Sequence, residues 1–291
     1  MTVDLAIKGR EAVADWIETT LLIRDGAQLG LGALQDMAAT ELHAGAPQVE
    51  LALGVMRRRS ELLGSSYPFE VHDWAVRADA GAAGSPYAAL VLLTPGGAAR
   101  QIVHAVPSSE TAVVFERITE RAVARLWGSE GRAIRFGWPS DVGRPPEFPQ
   151  AVPWLARQLG LQAGSGYRPP RRKDGGVDVI GWRPFPDGRS GFPLVLVQCT
   201  LQADILAKSR DVDARLWASW LVMDEEPATA LAVPQTIPTG VLWDELALNG
   251  AVFERMRLAS LTATVGPVSG LEEWVSETLF SLRPHMVGSE L

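Results

Sequence analysis

The sequence predicts an α/β fold: a mixed sheet flanked by helices, preceded by a mainly helical α+β module and followed by C-terminal helices. Three observations carry this prediction. Apolar residues recur at helical spacing through much of the first 64 positions. Two short apolar runs, 177–182 and 194–200, read as neighbouring strands. Helical and strand-like patterns alternate between 108 and 235.

Taken in order, 1–64 reads as helices, with Gly64 as a stop, and Phe69-Glu70-Val71-His72 as a strand. Tyr87-Ala88-Ala89-Leu90-Val91-Leu92-Leu93 is strand-like and ends at Pro95-Gly96-Gly97. Small residues between 95 and 109 mark the domain boundary, so a module over 1–107 is expected. Ser108 or Ser109 caps a helix running to about Trp127, whose residues Val114, Phe115, Ile118, Ala122, Val123 and Leu126 share one side. Glu116 and Glu120, four apart, share another. A short strand at 132–136, a helix over 149–161, the strands 177–182 and 194–200, a long helix over 203–223 and a strand at 228–233 complete a core spanning 108–235. The last part, 236–291, reads as helices packed on that core.

With 291 residues, 47% hydrophobic and 21% charged, the composition is that of an ordinary globular protein. The one cysteine, Cys199, excludes an intramolecular disulfide, and no Cys or His pair has zinc-ligand spacing. The start lacks a signal-peptide pattern and no apolar run nears the ~20 residues of a membrane helix, so a cytoplasmic location without membrane contact is expected. There is no GxxxxGK[S/T] loop and no Gly-x-Ser-x-Gly elbow. Gly30-Leu31-Gly32 is half a dinucleotide fingerprint with no clear strand before it, and the four histidines are scattered. Net charge of −7 opposes general attraction to nucleic acid, yet Arg168-Pro169-Pro170-Arg171-Arg172-Lys173 packs four cations into six residues. That run is either a solvated loop or a phosphate clamp.

Two side chains stand out because strands should bury aliphatics. Asp178 and Gln198 would each cost several kcal/mol if buried unpaired. An antiparallel hairpin brings the start of the first strand near the end of the second, so both residues can touch one cation. Alone, Asp178 also reads as a turn cap and Gln198 as a satisfied buried amide; Glu116 and Lys208 alone read as solvated. Cys199 faces away from Gln198 and reads as core, as do Trp182, Trp217 and Trp220 in preference to base-stacking platforms.

The combination of Phe115-Glu116, Gly175-Gly176-Val177-Asp178-Val179 and Gln198-Cys199 resembles the Mrr-like branch of the PD-(D/E)xK nuclease superfamily, over roughly 115–235. The resemblance implies a restriction-endonuclease-like fold and a Mg²⁺- or Mn²⁺-dependent endonuclease that hydrolyses DNA. It makes Glu116, Asp178 and Gln198 the metal-holding set; read as a phosphate clamp by their place in the chain, Arg168, Arg171, Arg172 and Lys173 would then contact the DNA. The longer pattern, with Trp182-Arg183-Pro184-Phe185, is similar to bacterial proteins implicated in phage defence. One position departs from the family: its lysine would fall at Thr200, and Lys208 on the following helix is the candidate substitute. The alternative expectation is an inactive nuclease-fold module that binds nucleic acid or a protein. A protein partner for the N-terminal module and a homodimer are compatible with either.

Overall fold

The computed structural model describes residues 9–24, 26, 28–97, 109–165, 170, 174–263 and 268–286. Helix α1 (Arg10–Ile23), β1 (Leu29–Gly30), α2 (Leu31–Leu42) and α3 (Ala46–Leu63) come first, followed by β2 (Phe69–Val71), β3 (Ala75–Ala78) and α4 (Pro86–Leu93). Next are α5 (Ser109–Arg125), β4 (Arg132–Arg135), α6 (Phe148–Leu159), β5 (Gln162–Ala163), β6 (Val179–Trp182) and β7 (Leu194–Cys199). The remainder comprises α7 (Ile205–Lys208), α8 (Ala214–Trp220), β8 (Leu221–Val222), β9 (Ala228–Ala232), α9 (Val241–Asn249), β10 (Ala251–Phe253), α10 (Arg255–Thr262) and α11 (Leu271–Met286).

These elements form two compact units: 1–108 with 234–236 and 255–291, and 109–233 with 237–254. In the first, α10 and α11 pack with the N-terminal helices beside the antiparallel sheet β1-β3-β2. Its interior holds charge. Arg255, fully buried, donates to both carboxylate oxygens of Asp15 at 2.7 and 2.8 Å, while Arg59 donates to Glu18 at 2.9 Å. Tyr67 and Tyr87 donate to the same Glu18 oxygen at 2.7 and 3.0 Å. Buried charges are tolerated only when paired and hydrogen-bonded, and every charge here is paired, with the Arg59 Nε left without an acceptor. The two arginines hold the Asp15 carboxyl down to about 2 against the opposing effect of burial.

The 87–93 run, expected as a strand, is helix α4. Every residue of it from Tyr87 to Leu93 is buried, so its sequence carries no one-sided period to tell helix from strand. The deciding signal lies just upstream: Ser85 accepts from the Ala88 N–H at 3.0 Å, and Pro86 occupies the first helical position.

The second unit is built on a five-stranded sheet in the order β10-β9-β7-β6-β4. Strands β7, β9 and β10 run parallel, while β6 is antiparallel to both β7 and β4. Helix α5 lies on one face, where a Cβ added to Gly181 of β6 would collide with Val123. The other face is covered by α6 and α8, whose Phe148, Leu155, Trp217 and Trp220 pack on Ile180, Leu194 and Leu196. The chain is therefore mixed α/β with helices flanking the sheet.

Two expectations fail in this region. The helix over 203–223 is two short helices, because Asp204 and Asp213 each cap a new start by accepting from Ala207 and Leu216 N–H at 3.1 and 3.0 Å. The segment 236–291 does not act as one extension. Strand β10 joins the sheet of the second unit, whereas α10 and α11 belong to the first.

Candidate functional site

The β6–β7 hairpin sets the register of the site. Val179 pairs with Val197, so Asp178 and Gln198 fall opposite each other one step further on. Asp178 is anchored through its backbone: its N–H donates to Val197 O at 2.9 Å, and its carbonyl accepts from Phe136 and Gly137 N–H at 2.6 and 3.0 Å. Upstream, Asp174 accepts from Gly176 N–H at 2.8 Å and closes a tight turn. Gly176 has φ +79°, and a Cβ there would come within 2.6 Å of the Asp211 carbonyl oxygen. The glycines before Asp178 are thus demanded by the turn that delivers it.

Gln198 Nε2 donates to Asp178 Oδ2 at 2.6 Å and to the Cys199 carbonyl at 2.8 Å, and the Cys199 N–H donates to the same Asp178 oxygen at 2.7 Å. Asp178 and Gln198 are both 7% exposed, so this is a buried polar knot at the C-terminal end of β7. Glu116 arrives from α5 and is also buried; Arg135 Nη1 donates to its Oε2 at 2.6 Å. Its carboxylate lies against the Gly137 backbone, where a Cβ would overlap it.

Burial pushes the Glu116 carboxyl up to about 7, with the charges of Asp174 and Asp141 adding to the rise and Arg135 opposing it. Burial likewise drives Asp178 well above the usual carboxylate range, followed by repulsion from Glu116 and Asp174; the Cys199 N–H and the Lys208 ammonium pull the other way. Lys208 ends α7, largely buried, with Nζ 3.3 Å from Asp211 Oδ2. Glu116 and, more weakly, Lys208 act on the Asp178 carboxyl through space, and Gln198 touches it directly. Thr200 is buried and accepts from Gln202 N–H at 3.1 Å; no ammonium stands at that position.

Arg135, Asp141 and Asp174 were not singled out as site residues in the sequence. Arg135 is 1% exposed, and its Nε donates to Asp141 at 2.7 Å while Nη1 holds Glu116. Its backbone N–H donates to Glu120 at 3.3 Å, so Glu116 and Glu120 do share a helical face, but one turned toward β4. An arginine at the end of a short alternating strand was the available signal. Cys199 is half-buried, and burial, Asp178 and Glu116 keep its thiol protonated. Trp182, Trp217 and Trp220 are core residues, the last two with ring centroids 5.2 Å apart. Arg168, Arg171, Arg172 and Lys173 lie outside the described residues.

No group of three or more His, Cys, Asp and Glu side chains among the described residues has metal-holding geometry. The donor set here is of another kind: two carboxylates, one amide and the Cys199 carbonyl, all hard oxygens suited to Mg²⁺ or Mn²⁺. The Gln198 amide nitrogen now sits between Asp178 Oδ2 and Cys199 O, making the contacts a cation would make. A divalent ion at this point would need the Gln198 Oε1 where its Nε2 stands. Among the described residues no helix is long and apolar enough to cross a membrane. Comparison of the chain with protein-family models, curated proteins and solved structures returns no match.

Proposed function

We propose that this protein is a metal-dependent endonuclease that hydrolyses DNA phosphodiester bonds, restriction-endonuclease-like in fold and similar to the Mrr-like PD-(D/E)xK enzymes. The observation that carries this reading is the 2.6 Å Asp178–Gln198 contact beside the buried Glu116, with the Lys208 charge acting on the same carboxylate. Two buried acids with raised proton affinity are costly to a fold, and such costs concentrate at functional sites. A role in bacterial defence against phage, in the cytoplasm, follows the resemblance of the longer 173–200 pattern.

Asp178, Glu116 and Gln198 would hold Mg²⁺ or Mn²⁺. When bound, the ion polarises a phosphoryl oxygen and lowers the pKa of a bound water. Without a metal, burial pushes the Glu116 carboxyl up to about 7, and as a ligand it would give up that proton when the ion binds. Lys208 contributes positive charge for the phosphate as negative charge develops on it. Arg135 fixes the Glu116 carboxylate and limits its drift toward Asp178.

A second reading, an inactive nuclease-fold module that binds nucleic acid or a protein, is favoured by Thr200 at the usual lysine position and by the Lys208–Asp211 ion pair. Supercoiled plasmid incubated with Mg²⁺ or Mn²⁺ separates the two. Wild type should nick or linearise it, and Asp178→Ala should not. Cleavage unchanged by that substitution rejects the site, and no cleavage by wild type under any condition selects the binding module.

A further inference from the structure

The loop that follows β4, residues 136–147, borders the candidate site and holds an aromatic ring out in solvent. Trp138 is 45% exposed, the one exposed tryptophan among the described residues of the second unit. Its neighbour Phe136 is fully buried, with its ring centroid 5.5 Å from that of Trp217. A lone exposed apolar side chain is ordinary on a protein surface. What sets Trp138 apart is where it stands and how firmly its loop is fixed.

Its place is set by the residue before it. The Gly137 N–H donates to the Asp178 carbonyl at 3.0 Å, and a Cβ on Gly137 would fall 2.4 Å from Glu116 Oε2. The Trp138 Cα follows about 3.8 Å along the chain, which puts the residue beside both acids of the site. Arg135, which holds Glu116, also donates to the Pro139 carbonyl and to Asp141. Ser140 Oγ accepts from the Val142 and Arg144 N–H groups at 3.2 and 3.0 Å. The buried Arg144 brings its guanidinium back to 4.3 Å from the Phe136 ring centroid and 5.8 Å from that of Trp138. The indole is thus held by a cation–π contact on a pinned loop.

We infer that Trp138 is a base-stacking platform and that the site takes DNA whose bases are unpaired at the cut, a single strand above all. The inference rests on the nuclease reading, which puts a phosphate at Asp178 and Glu116. In a duplex the base faces are covered by their stacked neighbours. An indole beside the scissile phosphate meets a bare face only where the strand is unpaired. Stacking also suits a chain of net charge −7, which gains little from general attraction to phosphate.

The test is fluorescence anisotropy of the full-length protein with a labelled oligothymidine of about 12 nucleotides and with a hairpin duplex, Ca²⁺ replacing Mg²⁺ so that binding is read without hydrolysis. Wild type should prefer the single strand about tenfold. Trp138→Ala should lose about that factor on the single strand and nothing on the duplex, and Trp138→Phe, which keeps a ring, should restore most of it. Equal urea midpoints show that the variants are folded. The proposal is overturned if wild type fails to bind the single strand or binds duplex as well, if Trp138→Ala binds it with the wild-type constant, or if Trp138→Phe is as weak as Trp138→Ala. Any of these beside plasmid cleavage that Asp178→Ala abolishes leaves the nuclease reading standing. Trp138-dependent binding without cleavage rejects that reading and leaves the platform in a binding module.

Discussion

Replacing Glu116 by Gln should change how stability depends on pH, and the change can be worked out. In an unfolded chain this carboxyl titrates near 4.5; in the fold burial holds it to about 7. At about 1.4 kcal/mol per pH unit, ionising Glu116 inside the fold costs about 3 kcal/mol more than in the unfolded chain. Because the folded form binds the proton more tightly, the stabilising contribution is complete below pH 4.5 and is lost as pH rises through about 7. Glutamine has no such proton. Between pH 4.5 and 8 the metal-free variant should therefore gain about 3 kcal/mol relative to wild type. The bond to Arg135 weakens in the variant at every pH, so comparing pH values cancels that effect. Urea unfolding in EDTA, followed by tryptophan fluorescence, measures the difference; Trp182, Trp217 and Trp220 all lie in the second unit. A wild-type-minus-variant difference that stays flat with pH, within about 0.5 kcal/mol, would refute the claim that Glu116 is held protonated by its surroundings.

Two further substitutions probe the same neighbourhood. Lys208→Ala should abolish plasmid cleavage while Mg²⁺ raises the urea midpoint of variant and wild type equally; full activity would remove Lys208 from the reaction. Gly137→Ala would place a methyl group in the space of the Glu116 carboxylate, breaking its bond to Arg135. A loss of about 1–3 kcal/mol together with activity is expected, and a variant as stable and active as wild type would show that the Glu116–Gly137 contact is dispensable.

What the sequence conveyed depended on how strongly each residue's role was written into local pattern. The hairpin was legible because 177–182 and 194–200 are short, apolar and separated by glycines and prolines, and pairing them places Asp178 opposite Gln198 by register alone. Helix α5 was legible from its one-sided apolar spacing. Helix α4 was not, since a segment buried on all sides loses its period. The break between α7 and α8 was carried by Asp204 and Asp213, which a reading of apolar spacing alone passes over. Arg135 was obscured for a different reason. Its partners Glu116 and Asp141 sit 19 and 6 residues away, and only the tertiary fold makes them neighbours. The same holds for α10 and α11, whose place beside the N-terminal helices is set by contacts across most of the chain.

The Arg255–Asp15 pairing spans 240 positions, and this has a consequence for biosynthesis. As the polypeptide leaves the ribosome, every residue of the second unit has been made once Glu254 is added, whereas the first unit still lacks Arg255 and all that follows it. Until then Asp15 and Glu18 must wait in a nascent helical module with Arg59 as their one basic partner from that network. The N-terminal part of the molecule is therefore expected to be the last to mature, and truncation just before residue 255 should leave it, not the second unit, exposed to chaperones and proteases.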